Sequence, residues 1–129
     1  MKEKYIRRSK EKIRWYGICK YRKVSENFIR EFNDIVEWDI ISRYQKLSEG
    51  FIREFKDKVD WNKISRYQNL SEEFIREFKE CVNWRYISVY QVLSEDFIRE
   101  FKDLLHSRKF KKVIEKSKKI INNFAIPNN

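Results

Sequence analysis

The sequence of 129 residues predicts an all-α fold, a short α-solenoid of five two-helix (helix-turn-helix) repeats with basic end caps. Three observations support this. One phrase returns at every twenty-third position, each copy has the pattern of two capped helices, and two glycines and one proline leave few turns for a β-rich fold. We expect a single domain over residues 1–129, with repeats at 2–24, 25–47, 48–70, 71–93 and 94–116 and a C-terminal cap or tail at 117–129.

The repeat is visible at its serine, tryptophan and tyrosine positions. The phrase Ser-Glu-Asn-Phe-Ile-Arg-Glu-Phe that begins at Ser25 returns in close copies that begin at Ser48, Ser71 and Ser94. Two aromatic positions keep the same period: Trp15, Trp38, Trp61 and Trp84, and Tyr21, Tyr44, Tyr67 and Tyr90. A repeat this short cannot bury its aromatic stripes alone, so neighbouring copies are expected to stack.

The first helix of each repeat follows from capping and periodicity. In repeat 48–70, Ser48 is a preferred N-cap residue, and Leu47 and Ile52 have the spacing of a hydrophobic staple. Phe51, Ile52 and the apolar residues that follow share one helix face, which predicts an amphipathic helix that ends near Val59.

The second helix of each repeat is shorter. Asp60 is expected to cap it, and Trp61, Ile64 and either Tyr67 or Gln68 are expected to line its inner face. The same cap position is occupied in the neighbouring repeats by Glu37 and Asn83. The short turns are therefore expected to depend on these caps.

Composition and cysteine usage bear on several functional classes. No apolar run approaches the roughly 20 residues that a membrane-spanning helix needs, and residues 1–15 lack the apolar stretch of a secretory signal. Cys19, Cys81 and the single histidine, His106, form no pattern typical of a metal site or a catalytic triad. We expect an intracellular, non-enzymatic protein without catalytic residues, a metal or a cofactor.

Positive charge is concentrated at the two ends of the chain. Residues 2–24 hold ten Lys and Arg against two Glu, and residues 107–129 hold seven against one, while the whole chain carries +10. Such runs bind phosphate backbones or acidic protein surfaces, or they act as solvated caps. The candidate partner-binding or nucleic-acid-binding residues at the ends are Arg7, Arg8, Lys10, Lys12, Arg14, Lys20, Arg22, Lys23, Arg108, Lys109, Lys111 and Lys112.

A second candidate surface consists of polar and aromatic residues that recur on the short helices. They either read an extended ligand one repeat at a time or, for the serines and glutamines, satisfy backbone groups at the turns between repeats. The candidates are Ser42, Tyr44, Gln45, Ser65, Tyr67, Gln68, Ser88, Tyr90 and Gln91. The tryptophans are expected in the core, with base stacking as the alternative.

Arg and acidic residues recur four positions apart in the predicted first helices. This spacing supports an isolated helix by about 0.2–0.5 kcal/mol per pair. We expect the pairs to stabilise the helix surface, with a charged ladder for a partner as the alternative. The pairs are Arg30–Asp34, Arg53–Asp57, Arg76–Glu80 and Arg99–Asp103.

Residues 70–78 (Leu-Ser-Glu-Glu-Phe-Ile-Arg-Glu-Phe), followed by Trp84 and residues 87–91 (Ile-Ser-Val-Tyr-Gln), carry a family resemblance. This text resembles tandem repeats in proteins of giant amoeba-infecting viruses, of the mimivirus and marseillevirus kind. The resemblance covers about residues 5–106 and brings no catalytic or ligand residue with it. It implies a viral protein that acts in the host cytoplasm or nucleus.

The function expected from the sequence is a non-catalytic repeat scaffold for protein–protein interaction, a viral factor that engages a host or viral protein. One alternative is a nucleic-acid-binding protein or host-defence inhibitor that acts through its basic ends. Another is a virion protein that self-associates. We expect a monomer or weak self-association, with no membrane partner.

Overall fold

A computed structural model of the chain describes residues 15–105. This part contains eight helices and no strand, which confirms the predicted all-α repeat fold. The helices that begin at a tryptophan have 7 residues and those that begin at a glutamate have 6, so the second helix of each repeat is the longer one and the prediction that it is shorter is wrong. In chain order they are α1 (Trp15–Tyr21), α2 (Glu26–Glu31), α3 (Trp38–Tyr44), α4 (Glu49–Glu54), α5 (Trp61–Tyr67), α6 (Glu72–Glu77), α7 (Trp84–Tyr90) and α8 (Glu95–Glu100).

The chain divides into two compact units, Met1–Gln68 and Asn69–Asn129, named here the N-terminal and the C-terminal unit. The division falls two residues before the predicted repeat boundary that precedes Ser71. In the N-terminal unit the tryptophan helices stack in chain order, α1 on α3 and α3 on α5. This stacking is the solenoid packing that the repeat predicts.

A serine caps each glutamate helix as expected. The hydroxyl oxygens of Ser25, Ser48 and Ser71 each accept a hydrogen bond from the backbone N–H three residues later, at 3.1 Å. Ser94 does the same at 3.2 Å. Each cap satisfies one of the N–H groups that a helix N-terminus leaves without an internal partner.

The glutamate helices are shorter than predicted. Helix α4 ends at Glu54 and not near Val59, because Phe55 leaves helical geometry at φ −109° and ψ 32°. The ring of Phe55 packs 5.0 Å from the ring of Trp38 and 4.8 Å from that of Phe51. A separate turn then follows, in which the N–H of Val59 donates to the carbonyl of Phe55 at 3.0 Å. Tertiary packing of the aromatic rings thus accompanies the early end of the helix.

The caps of the tryptophan helices differ from one repeat to the next. Asp60 Oδ1 accepts from the N–H groups of residues 62 and 63 at 3.0 and 3.3 Å. Asn83 caps α7 in the same way, at 3.1 and 3.3 Å. Glu37 occupies the N-cap position of α3 as expected, but its side chain makes no cap bond. The extra methylene of glutamate explains the difference, since the favoured caps have shorter side chains.

The core consists of apolar residues from both helices of each repeat, with an aromatic cluster at the centre. Phe51 and Ile52 of α4 are fully buried. Trp38 lies against Phe51 of the following helix and Phe55 directly after it, and its Nε1 donates to the carbonyl of Asn33 at 2.8 Å. Equivalent clusters form around Trp15 and, in the C-terminal unit, around Trp84. These tryptophans pack on core phenylalanines, but they are themselves half-buried and lie at the edge of the core, not within it as expected.

The ion pairs differ from those predicted. Arg30 pairs with Glu54 at 2.9 Å, and Arg76 pairs with Glu100 at 3.0 Å, so each arginine reaches the glutamate helix of the next repeat. The predicted partners, Asp34 and Glu80, lie in the turns after the shortened helices, where the four-residue helical spacing is lost. Arg99 also pairs with Glu95 and not with Asp103.

Candidate binding surface

The predicted basic residues fall into two groups. Lys20, Arg22 and Lys23 lie at and just after the end of α1, where Lys20 is half-buried and the other two are exposed. The remaining nine lie outside the described residues, as does the tail at 117–129. They are Arg7, Arg8, Lys10, Lys12, Arg14, Arg108, Lys109, Lys111 and Lys112.

The recurring glutamines of the N-terminal unit are internal. Gln45 and Gln68 are each only 5% exposed. The side-chain Nε2 of Gln45 donates to the carbonyls of Cys19 and Arg22 at 2.9 and 2.5 Å, and its Oε1 accepts from the N–H of Val24 at 3.3 Å. One glutamine therefore satisfies three backbone groups at the end of the preceding tryptophan helix.

Gln68 repeats this pattern in the next repeat. Its Nε2 donates to the carbonyls of Ser42 and Gln45 at 2.9 and 2.6 Å, and its Oε1 accepts from the N–H of Leu47 at 3.0 Å. In the C-terminal unit, the Oε1 of Gln91 accepts from the N–H of Leu70 at 3.2 Å. The glutamines thus have the backbone-satisfying role that was the alternative to ligand binding.

The recurring serines of the tryptophan helices also bond within the protein. Ser42 and Ser65 are fully buried. Ser42 Oγ accepts from the N–H of Asp60 at 3.0 Å, while Ser65 Oγ donates to the carbonyl of Trp61 at 2.6 Å. The half-buried Ser88 donates to the carbonyl of Arg85 at 2.7 Å. No buried side-chain nitrogen or oxygen within residues 15–105 lacks a hydrogen-bond partner.

The tyrosines, in contrast, reach the surface. Tyr21 is 73% exposed, Tyr44 38% and Tyr90 47%, and Tyr67 is half-buried. Of the predicted repeat-surface residues, the tyrosines are therefore the ones available to a ligand in each repeat.

A cation precedes each of the three recurring tyrosines of the N-terminal unit, Tyr21, Tyr44 and Tyr67, and two of these cations lie close to two rings. Lys20 Nζ is 5.0 Å from the ring centroid of Tyr21 and 5.3 Å from that of Tyr44. Arg43 Cζ is 4.8 Å from the centroid of Tyr44 and 4.9 Å from that of Tyr67. Arg66 Cζ lies 4.9 Å from the Tyr67 centroid. We call this row the tyrosine–cation ladder: Tyr21, Lys20, Tyr44, Arg43, Tyr67 and Arg66.

The electrostatics of the ladder favour anions. Hydrogen bonding to the hydroxyls of Tyr21 and Tyr16 raises the pKa of Lys20, so its ammonium stays charged. Neither Lys20 nor Arg43 has a carboxylate within ion-pair distance among the residues that the structure describes. Arg30 and Arg76, on the glutamate helices, are by comparison already paired with Glu54 and Glu100.

Arg43 and Arg66 were not among the site residues predicted from the sequence. The signal for them was present, because they occupy the position of Lys20 in the next two repeats, directly before a tyrosine. The equivalent position in the C-terminal unit is Val89. There, Tyr86 and Tyr90 lie 6.0 Å apart beside an open groove of about 420 Å³, which Asn83, Arg85 and Val89 also line.

The described residues bear on metal binding and on side-chain reactivity. No group of three or more His, Cys, Asp or Glu within residues 15–105 is arranged to hold a metal ion. Burial raises the pKa of the Cys19 thiol, which makes it a poor nucleophile. His106 lies outside the described range.

No helix in the described part of the chain combines the length and the apolar character needed to cross a membrane.

Comparison of the chain with protein-family models, with curated proteins and with solved structures finds no significant match, so the resemblance to giant-virus repeats stays a prediction.

Proposed function

We propose that this chain is a non-catalytic helical-repeat scaffold that binds another protein through the tyrosine–cation ladder. The observation that supports this is that the recurring residues fall into two classes. Gln45 and Gln68 are buried and join neighbouring repeats, whereas the tyrosines and the cations beside them are exposed or half-buried. A repeat stack that presents one such pair per repeat has the form of an extended docking surface.

The residue types of the ladder suit protein recognition. Tyrosine and arginine are enriched among the residues that dominate binding energy at interfaces. Here each arginine is held against ring faces, as in the contacts of Arg43 with Tyr44 and Tyr67. Side chains that are ordered before binding lose less conformational entropy when a partner docks.

Affinity capture with matched baits tests the proposal. The wild-type chain, Tyr44→Ser and Lys56→Ala would each be immobilised and exposed to nuclease-treated lysate, and any captured protein would be purified and titrated by calorimetry. Lys56 is an exposed cation outside the ladder. We expect direct binding by wild type and Lys56→Ala, and at least about tenfold weaker binding by Tyr44→Ser, since hot-spot truncations cost this much. Equal affinity of all three baits would overturn the proposal.

A second candidate function is single-stranded nucleic-acid binding. The observation in its favour is the end of α1, where Lys20 lies within 5.5 Å of the rings of Tyr16, Tyr21 and Tyr44, next to the exposed Arg22 and Lys23. Aromatic rings interleaved with cations form stacking platforms for bases.

Fluorescence polarisation with short RNA and DNA at several salt concentrations tests this second function. Binding that persists near physiological salt, with a log–log slope of roughly 0.7–0.9 per phosphate contact, would support it. Binding that vanishes by physiological salt would exclude it.

A further inference from the structure

We propose that the ligand of the tyrosine–cation ladder is an acidic, extended segment of a partner protein, in polyproline II conformation, with a carboxylate at every third residue. This inference rests on the proposed function and specifies the chemistry of the partner. Three features of the N-terminal unit lead to it: the absence of a described carboxylate partner at Lys20 and at Arg43, the spacing of successive tyrosine rings, and the cations that cover the ring faces.

Lys20 and Arg43 carry positive charge that is available to an anionic ligand. Lys20 and Arg43 contact aromatic rings and no described carboxylate, while Arg30, on a glutamate helix of the same unit, binds Glu54 through its Nε at 2.9 and 3.1 Å. An arginine stacked on a ring presents the flat face of its guanidinium to that ring. Its N–H groups point outward from the guanidinium edge and stay available for hydrogen bonds. The guanidinium of Arg43 is therefore able to bind a carboxylate while it stays stacked.

The distance between successive tyrosine rings of the ladder favours one conformation of the ligand. Arg43 lies 4.8 and 4.9 Å from two successive rings, which limits their separation, and the helices that carry these rings, α3 and α5, pack on each other, as helices do at about 8–10 Å. A polyproline II segment rises about 3.1 Å per residue with three residues per turn, so every third side chain lies on one face about 9 Å from the last. The two periods match, and a β-strand, in which every second side chain shares a face, does not match.

Nucleic acid fits these features less well. A nucleic-acid strand carries one phosphate per nucleotide, about 3.4 Å apart when the bases stack. Several phosphates would therefore lie between two successive cations of the ladder, without a cation to pair with. The face of Tyr44 is also covered, by Lys20 and by Arg43, so a base would have to displace a cation in order to stack.

The tyrosines supply the rest of the recognition. Aromatic rings with exposed edges and hydroxyls are the common floor of sites that bind proline-rich segments, which are already extended before they bind. Between the acids, prolines would contact the ring edges of Tyr44 and Tyr67. Lys20 and Arg43 lie in successive repeats, so a segment of about six residues contacts both, at three residues per repeat.

The test uses synthetic peptides and the full-length chain. The probe is a fluorescein-labelled twelve-residue peptide made of four Glu-Pro-Pro triplets. One comparison peptide has four Gln-Pro-Pro triplets, and a second has the same composition as the probe with its four glutamates contiguous. A labelled oligothymidylate of similar length represents nucleic acid. Fluorescence polarisation is measured for wild type, the double variant Lys20→Ala/Arg43→Ala, and the control Lys56→Ala, each checked by circular dichroism for helical content.

We expect wild type and Lys56→Ala to bind the Glu-Pro-Pro peptide equally, and the double variant to bind at least about tenfold more weakly, since two charge-assisted contacts are lost. The Gln-Pro-Pro and contiguous-glutamate peptides should bind about as weakly as the double variant binds the probe.

Three results would overturn the inference. One is no binding of the probe by wild type. Another is equal binding of the three peptides, and a third is tighter binding of oligothymidylate that displaces the probe, which would favour nucleic acid. If the Glu-Pro-Pro peptide does not bind, but a protein captured by wild type binds Tyr44→Ser more weakly, the proposed function stands and only the ligand class is wrong.

Discussion

The side-chain Nε2 of Gln68 donates to the backbone carbonyl of Gln45 at 2.6 Å, so the glutamine of one repeat bonds to the backbone of the glutamine before it. Each of these two glutamines thereby donates hydrogen bonds to carbonyls at the C-terminal end of the preceding tryptophan helix, where carbonyls lack intrahelical partners. Side chains that bond the backbone in this way take the place of the glycine caps that end many helices. The chain has only two glycines in all, which is consistent with this arrangement.

Replacement of Gln68 by alanine is expected to lower the free energy of unfolding by at least about 2 kcal/mol, because two carbonyls and one N–H lose a partner at a buried site. Gln68→Glu should also destabilise, since a carboxylate accepts but cannot donate to the two carbonyls. Urea unfolding followed by circular dichroism measures both changes. Asn69→Ala, the exposed neighbour, is the control, and a loss no larger than that of this control would contradict the role.

The pair Arg30–Glu54 is expected to show a coupling energy of about 0.2–1 kcal/mol in a double-mutant cycle with alanine, as exposed ion pairs do. The pair Arg30–Asp34, which the sequence favoured, should show none within error because Asp34 lies beyond the end of α2. Urea unfolding at low and high salt gives both energies. Coupling to Asp34 that exceeds coupling to Glu54 would restore the sequence-based pairing.

Glu37→Asp is expected to stabilise the chain by about 0.5–1 kcal/mol, because the shorter carboxylate can cap α3 as Asp60 caps α5. The converse substitution, Asp60→Glu, should destabilise by a similar amount. Thermal unfolding of both variants checks the signs. A destabilised Glu37→Asp variant would show that the side chain of Glu37 has a role that the cap position does not explain.

The two thiols are expected to differ in reactivity. Cys81 is exposed, whereas Cys19 is buried, and this burial raises the pKa of Cys19 above its usual 9.0. In native conditions a disulfide reagent should modify Cys81 readily and Cys19 only when the chain opens, because the thiolate is the reacting species. Stopped-flow kinetics on Cys19→Ala and Cys81→Ala separates the two rates. Equal rates would contradict the burial of Cys19.

The same shift makes stability dependent on alkaline pH. Above about pH 9, the unfolded chain releases the Cys19 proton while the folded chain keeps it. The unfolded state then binds fewer protons, so the free energy of unfolding falls as pH rises beyond this value. Urea titrations between neutral and alkaline pH should show a shallower fall for Cys19→Ala than for Cys81→Ala.

The sequence predicted the starts of helices better than their ends. A cap bond joins residues only two or three positions apart, as between Ser48 and Phe51, so it can be predicted from the local amino-acid sequence. The end of α4 depends on where Phe55 packs against Trp38, which belongs to the preceding repeat. Sequence periodicity carries no information on that choice, because Val59 also continues the apolar stripe of the helix.

The candidate site shows the same limit. The tyrosines and Lys20 were selected from the sequence, and the structure brings them together. A cation near the end of a helix is ordinary, being favoured there by the helix dipole, so Arg43 taken alone does not indicate a site. Its position between Tyr44 and Tyr67 exists only once α3 and α5 are stacked.

By itself the sequence determined the fold class, the period of the repeat and the capped helix starts, since these follow from short-range hydrogen bonds and from apolar periodicity. Tertiary structure alone decided where the helices end, that Arg30 pairs with Glu54, and that the glutamines are internal while the tyrosines and their cations form a ladder. The physical reason is distance along the chain. These contacts join residues of different repeats, as Gln68 joins Ser42, and only stacked repeats bring such positions together.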